Sequence, residues 1–336
     1  MRELKMPPKN PPFLCYLTIL LLIILILQLM ILPHSSCSSS LELTVATNEE
    51  IYYLGQVVTI SGNLTLNGNP INNSIVGIEI QNPKKTIIMR VLPTGQSPQR
   101  NWLIEVIDVY PCDEYGNPKN SFSKGTLAYF NITVRNNDIE QRIVLITANI
   151  FDSNNSPIGL STLETVIASN STGTIIISVP IPEKAKEGTA TIYANVFSAP
   201  PRIGGKPYGL EKSNQFQITS SSSTSTYSTE NNQTLNGNFT TDFYLAPYFD
   251  VGNYTIYVTS TYLHYTATNK TSFTVLVPGD ANGDFRVDLG DLSLLGASWY
   301  AKPGDPNWNP KCDFDQNGII DVVDLSILGS YWGYPF

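Results

Sequence analysis

Two acidic segments near the C-terminus, one repeating the other 33 residues further on, constrain this chain more than anything else in it. The first reads Asp280-Ala281-Asn282-Gly283-Asp284-Phe285-Arg286-Val287-Asp288-Leu289-Gly290-Asp291, and the second Asp313-Phe314-Asp315-Gln316-Asn317-Gly318-Ile319-Ile320-Asp321-Val322-Val323-Asp324. Both place oxygen-bearing side chains at positions 1, 3, 5, 9 and 12 and an apolar residue at position 8. The repeat continues in Leu292-Ser293-Leu294-Leu295-Gly296 against Leu325-Ser326-Ile327-Leu328-Gly329, with Trp299 and Trp332 in register. From residue 279 onward there are nine Asp, no Glu and three basic residues (Arg286, Lys302, Lys311), so six of the eight net negative charges fall there. Short carboxylates at such density are either a solvated acidic tail or a cation site, and the repeated spacing favours the site.

The chemistry of that spacing points to calcium. Ca²⁺ takes about six to eight oxygens, and a twelve-residue loop offers them from positions 1, 3 and 5, a carbonyl at 7, position 9 (often through water) and a carboxylate at 12. Mg²⁺ demands a tighter octahedron, and soft metals want sulfur or imidazole, of which only Cys312 lies close by. The expected ligands are Asp280, Asn282, Asp284, the Arg286 carbonyl, Asp288 and Asp291 in the first loop. In the second they are Asp313, Asp315, Asn317, the Ile319 carbonyl, Asp321 and Asp324, so two ions are expected.

Position 12 is Asp where an ordinary EF-hand has Glu, and each loop precedes a single apolar-periodic segment. With the duplication, residues 277–334 resemble a type I dockerin. That resemblance implies a small calcium-folded α-helical module whose helices dock onto a cohesin-like partner, with Leu292, Leu295, Leu325 and Leu328 as the core between them. Two departures follow from the residues themselves. Phe285 stands at position 6, where a positive φ is commonly needed and a Cβ costs about 1 kcal/mol or more, which predicts a weakened first site. Positions 10 and 11, often a Ser-Thr pair in dockerins, are Leu289-Gly290 and Val322-Val323, which counts against cohesin binding of the familiar kind. A calcium-stiffened structural cap is the other reading, since metal binding and folding are coupled in such small domains.

Upstream, residues 41–277 alternate apolar and polar with turn signals every 8–12 positions, as in Val57-Val58-Thr59-Ile60 and Tyr254-Thr255-Ile256-Tyr257, and no helical periodicity intervenes. The chain is therefore expected to be mainly β, built as sandwiches. Residues 41–95 hold too few strands to close a core, and so do 231–277, whereas 99–218 hold enough. The two partial pieces are expected to combine into one discontinuous Ig-like sandwich with the middle one inserted in it; three domains in series is the alternative. The run Glu50-Ile51-Tyr52-Tyr53-Leu54-Gly55-Gln56 resembles the start of a macroglobulin-type Ig-like module, and Val251-Gly252-Asn253-Tyr254-Thr255-Ile256-Tyr257-Val258 its second half. The middle piece is similar to adhesion-type Ig-like domains of prokaryotic surface proteins. Residues 219–230, rich in Ser and Thr, read as a flexible linker.

Arg2, Lys5 and Lys9 precede an apolar run from residue 13 to 32, which predicts an N-terminal hydrophobic helix within residues 1–40, acting as a secretion signal or an uncleaved membrane anchor. Either places the remainder outside the cell. His34 counts against a lipoprotein reading of Cys37. Nine Asn-x-Ser/Thr sequons agree with export, and the two module cysteines, Cys112 and Cys312, are too few for a disulfide scaffold.

Catalysis has little to stand on. There are two histidines, His34 and His264, and no nucleophile elbow, P-loop or His-Glu-x-x-His. Glu105, Asp108, Asp113, Glu114, Glu164, Glu183 and Glu187 are the acidic candidates of the middle region, and most fit turns or solvent faces. The negative net charge counts against nucleic acid as a partner. Trp102, Tyr110, Tyr115, Tyr208, Tyr244, Tyr248 and Tyr262 offer a rival possibility, a stacking face for surface polysaccharide. The expectation is a non-catalytic cell-surface protein with spacer or adhesion modules and a calcium-binding C-terminus.

Overall fold

Inward-facing Val58, Ile60 and Leu64 alternate with outward Thr59, Ser61, Asn63 and Thr65 along one strand, and that period-two burial recurs through most of the chain. The computed structural model describes residues 40–95, 102–220 and 237–335. The protein is mainly β. The strands are β1 (Leu41–Leu43), β2 (Ala46–Thr47), β3 (Ile51–Tyr53), β4 (Val57–Leu66), β5 (Asn69–Pro70), β6 (Ser74–Gln81), β7 (Thr86–Thr94), β8 (Ile104–Cys112) and β9 (Ser121–Ser123). They continue with β10 (Leu127–Asn136), β11 (Arg142–Phe151), β12 (Pro157–Ile167), β13 (Thr172–Pro180), β14 (Gly188–Phe197), β15 (Lys212–Thr219), β16 (Asn238–Tyr244), β17 (Gly252–Tyr262) and β18 (Tyr265–Leu276). Two helices follow, α1 (Leu289–Ala297) and α2 (Val322–Ser330).

Strand pairing divides these into two bodies. In the first, β1, β4 and β16 form one sheet with β2 and β5 attached to β4, and β3-β18-β17-β6-β7 form the other. In the second, β13-β10-β8 face β12-β11-β14-β15-β9. The two bodies share one strand order. Each has a three-stranded path of its first, third and sixth principal strands, and a five-stranded sheet in which a short early strand pairs parallel to the last (β3 with β18, β9 with β15). The first body is assembled from both sides of the second: β4 pairs with β16, and β6 with β17. The chain's points of departure and return are adjacent, since the Gly95 N–H donates to the Asn238 carbonyl at 2.9 Å.

The contact between the bodies explains an irregularity of the alternation. β6 and β11 are buried on both faces, because each looks inward to its own core and outward to the other body. At that seam the free edge of β7 meets side chains in place of another strand. Asn149 Oδ1 accepts from Met89 N at 2.7 Å and Asn195 Oδ1 from Val91 N at 2.8 Å. Thr147 Oγ1 donates to the Met89 carbonyl at 3.1 Å, and Asn149 Nδ2 to that of Ile87 at 3.1 Å. Ile75, Met89 and Val91 pack there on Trp102, Leu145 and Phe197. A Cβ on Gly77 would lie 2.7 Å from the Phe197 ring, so only glycine admits that approach. Arg90 lies over the Tyr193 ring, 3.6 Å from its centroid, and grips Glu211 through two hydrogen bonds of 2.6 and 3.0 Å. Buried Glu79 accepts from Arg202.

Cys112 and Cys312 are both buried and free. Among the described residues no helix is long and apolar enough to cross a membrane. The leader helix expected within residues 1–40 lies, apart from Ser40, outside the described residues, as does the Ser/Thr linker beyond residue 220.

Replacing Asn149 with Ala removes the acceptor of the buried Met89 N–H and a donor to the Ile87 carbonyl. We expect Asn149→Ala to destabilise the protein by about 2–3 kcal/mol in urea denaturation. A change under about 0.5 kcal/mol would mean that water replaces the lost bonds.

Candidate metal centre

Each acidic segment folds as a loop running into a helix, and the two share nearly the same hydrogen bonds. The position-1 carboxylate gathers the loop: Asp280 accepts from the N–H groups of Gly283 (2.7 Å), Asp284 (3.2 Å) and Phe285 (2.9 Å), and Asp313 from Asn317 (3.1 Å) and Gly318 (3.0 Å). The position-12 carboxylate ties the start of the loop to the helix. Asp291 accepts from Ala281 (2.8 Å), Asn282 (3.1 Å) and Asp288 (2.8 Å), and Asp324 from Phe314 (2.7 Å), Asp315 (3.4 Å) and Asp321 (2.8 Å). Position 9 is the helix N-cap: Asp288 accepts from Gly290 N and Asp321 from Val323 N, each closing a capping box with position 12.

The sequence-expected ligands are thus brought together in two groups. Asp280, Asp291 and Asp324 are buried, whereas Asn282, Asp284, Asp288, Asp315 and Asn317 are exposed, so each loop opens on one side. Carboxylate oxygens of Asp313, Asp315 and Asp324 lie within 4.8 Å of one another. Among the described residues, no hydrogen bond engages the position-7 carbonyls of Arg286 and Ile319. Burial, and then neighbouring carboxylates, push the Asp280 and Asp313 carboxyls above the usual range. Negative charge here is therefore held at a cost that a nearby cation would reverse. The donor set is all oxygen and fits a hard divalent ion.

Backbone geometry alters two expectations. Phe285 at position 6 does adopt a positive φ of 66°, as does its counterpart Gly318 (82°). Position 4 is left-handed in both loops as well, and there the glycine is in the first loop (Gly283, 78°) while the second carries Gln316 (61°). Each loop therefore holds one strained side chain, and backbone strain gives the first no disadvantage. The core also differs from expectation. Leu295 and Leu328 are buried and Leu292 is partly so, but Leu325 is 38% exposed. Each helix is nine residues long and buries one row, Asp291 with Leu295 and Asp324 with Leu328, four residues apart; Leu325 lies on the flank. Val287 and Ile320, the position-8 residues, complete the core.

Position 8 also joins the halves crosswise. Val287 exchanges backbone bonds with the segment after α2 (to Tyr334 O, 3.2 Å; from Gly333 N, 2.8 Å), and Ile320 does so with the segment after α1 (to Ala301 O, 3.2 Å; from Tyr300 N, 2.8 Å). This core runs without a break into that of the first β body. Tyr53 of β3 meets the Phe314 ring edge-on at 6.2 Å, and burial, followed by the charges of Asp280, Cys312 and Asp291, raises its hydroxyl to about 12. Sequence reasoning missed this joint. Its signal was the alternation: Tyr52 points inward, so Tyr53 faces outward from an edge strand and needs a cover. Positions 10 and 11 stand out in solvent, with Leu289 67%, Val322 66% and Val323 44% exposed.

The seven aromatic residues considered as a stacking face do not form one row. Trp102 is buried between the β bodies, Tyr115 is 79% exposed, and the others are half-buried on separate elements, apart from Tyr244 and Tyr248, which share a cleft. His264 sits at the exposed β17–β18 turn against Tyr265, their ring centroids 4.0 Å apart. Among the acidic candidates, Glu105 accepts from Trp102 N, Asp113 from Tyr115 N and Asn117 N, and Glu187 pairs with Lys124.

No protein-family model matches the chain, and no curated protein matches it. Among solved structures it is similar to the C-terminal domain of wzt (13% identity, TM-score 0.30), over 40% of this chain and 86% of that one. It also resembles an alkylpurine DNA glycosylase of Pseudomonas fluorescens (8% identity, TM-score 0.26), over 36% of this chain and 31% of that one. A β-glucuronidase from glycoside hydrolase family 2 (6% identity, TM-score 0.27) matches over 49% of this chain and 24% of its own. The chain thus spans about a third of the glycosylase and a quarter of the glucuronidase, and likenesses this slight carry no argument about function.

Gly283 and Gly318 have nothing within 4 Å of an added Cβ, so alanine there meets only backbone strain. Gly283→Ala and Gly318→Ala are expected to lower the melting temperature in chelator equally, each by an amount equivalent to about 1 kcal/mol. A clearly larger effect in one loop would show that the two do not share their strain equally.

Proposed function

We propose that this is an exported, non-catalytic surface protein in which two Ig-like sandwiches form a spacer and a dockerin-like module binds two calcium ions. The observation that carries the calcium reading is that two loops with oxygen donors at the same six positions share nearly all of their hydrogen bonds, and that in the second loop Asp313, Asp315 and Asp324 bring their carboxylate oxygens within 4.8 Å of one another. Both loops supply a carboxylate at positions 1 and 12, acceptors at 3, 5 and 9, and an unengaged carbonyl at 7, the arrangement that a six- to eight-coordinate ion requires. Support for Ig-like modules comes from the strand order that the two bodies share, with a sheet of the first, third and sixth principal strands against one containing the fourth, seventh and eighth. Export rests on the charged and apolar leader of the sequence.

Two uses of the calcium module have separate support. Leu289 and Val322, at position 10 of the two loops, and Val323 beside the latter leave apolar side chains in solvent that suit docking to a cohesin-like partner. The continuous core and the Tyr53–Phe314 contact favour the second use, a cap stiffened by calcium and held against the first β body.

Because that core is shared, the test belongs on the intact chain. Calorimetric titration is expected to show two calcium ions per chain, and chelator to lower the melting temperature and the helical circular dichroism. The double variant Asp291→Asn/Asp324→Asn is expected to abolish both responses. A chain that takes up no calcium, and whose unfolding ignores chelator, would remove the calcium reading and leave only the β spacer.

A further inference from the structure

Where the second β body meets the loop after β16, a cleft of about 490 Å³ opens, walled by Tyr244, Pro247 and Tyr248 on one side and by Asn154, Lys184 and Lys186 on the other. Tyr248 also walls a narrower cavity of about 230 Å³ beside Lys85 and Phe249, so the two are neighbours. Both fall near the size range of small-molecule sites, about 300–1,000 Å³.

The charges along this seam are unequally committed. Asp152 spends its carboxylate on the backbone N–H groups of Asn154 (3.0 Å), Ser156 (3.2 Å) and Lys186 (2.9 Å), fixing the two loops that form the wall. Asp250 is held by Lys84 and by Asn82 at 3.0 Å, and Glu187 by Lys124 at 2.8 Å. Lys85, Lys184 and Lys186 form no salt bridge among the described residues, although Lys186 lies near enough to Glu187 to help lower its carboxyl. The seam is therefore locally basic in a chain of net charge −8. The Tyr248 hydroxyl is buried without a hydrogen-bond partner, an arrangement that native proteins rarely keep without a use. Burial and the nearby Asp152 raise it to about 12, so it stays protonated.

Uncommitted lysines call for an anion, and two tyrosines with an asparagine amide call for a ligand that has both an apolar face and hydroxyls. A sugar acid has all three, whereas an inorganic anion has no use for the rings. We propose that this seam binds an anionic saccharide, with a uronate carboxylate at Lys184 and Lys186 and its ring against Tyr244 and Tyr248. None of these residues belongs to the calcium loops, so the site stands or falls independently of them.

The test titrates a glucuronate-containing tetrasaccharide into the full chain in buffered calcium, beside its carboxyl-reduced counterpart and a peptide of four aspartates. The acidic sugar is expected to bind best, and added salt to weaken it. Lys184→Glu/Lys186→Glu should lose about tenfold or more in affinity, while Lys184→Arg/Lys186→Arg retains it. Both lysines are exposed, and an unchanged melting temperature will show that the variants fold. No binding by the unaltered chain, or equal binding by the charge-reversed variant, would overturn the site. Equal affinity for the reduced sugar would overturn the anionic class, and equal affinity for the peptide the saccharide.

Discussion

β7 is an edge strand that the protein neither leaves open nor pairs with another strand. Its outward N–H and C=O groups at Ile87, Met89 and Val91 are met by Asn149, Asn195 and Thr147, side chains of the inserted body. Buried backbone groups without partners would each cost on the order of 1–3 kcal/mol, so the insertion supplies what the edge requires. Amides are suited to this because one side chain both donates and accepts, as a neighbouring strand would. The Arg90–Glu211 and Glu79–Arg202 pairs flank the contact. Such pairs add little net stability where both charges are desolvated, but they penalise any other docking in which one charge is left alone. The two β bodies are thereby held in one orientation.

The C-terminal module repeats that logic at smaller scale. Two nine-residue helices are too short to be stable alone in water. Capping by Asp288 and Asp321, the crosswise bonds at Val287 and Ile320, and a core continuous with the first β body all support them. The carboxylates that organise the loops are also the groups whose burial opposes their charge. A cation at each loop would offset that opposition and reach, through Phe314, the Tyr53 edge of the β body. If the loops take up an ion as proposed, its binding and the firmness of the joint would be a single equilibrium.

Charge is distributed to match. The acidic excess is concentrated at the C-terminal loops, while along the seam of the β bodies the carboxylates are committed and three lysines are not. Opposite local fields on one chain would keep the proposed cation and anionic-ligand sites from competing, and their separation is invisible in the net charge.

The acidic loops were legible in the sequence because their geometry is local: side chains at fixed spacing within twelve residues must converge when the loop closes, whatever surrounds it. Strand alternation was legible for the same reason, since the pleat sends neighbours to opposite faces. What the tertiary structure alone decided is non-local. Local spacing does not tell that Leu325 would fall on the flank of a core filled by Leu295 and Leu328, that Trp102 would be sealed between two bodies, or that Asn149 would serve a strand sixty residues away. The strain at Gln316 was not legible in the sequence, because the left-handed backbone of position 4 shows only once the loop is folded. Periodicity and spacing determine which face of an element is apolar and which oxygens can meet; which body that face covers depends on contacts between residues far apart in the chain, and those only the folded chain brings together.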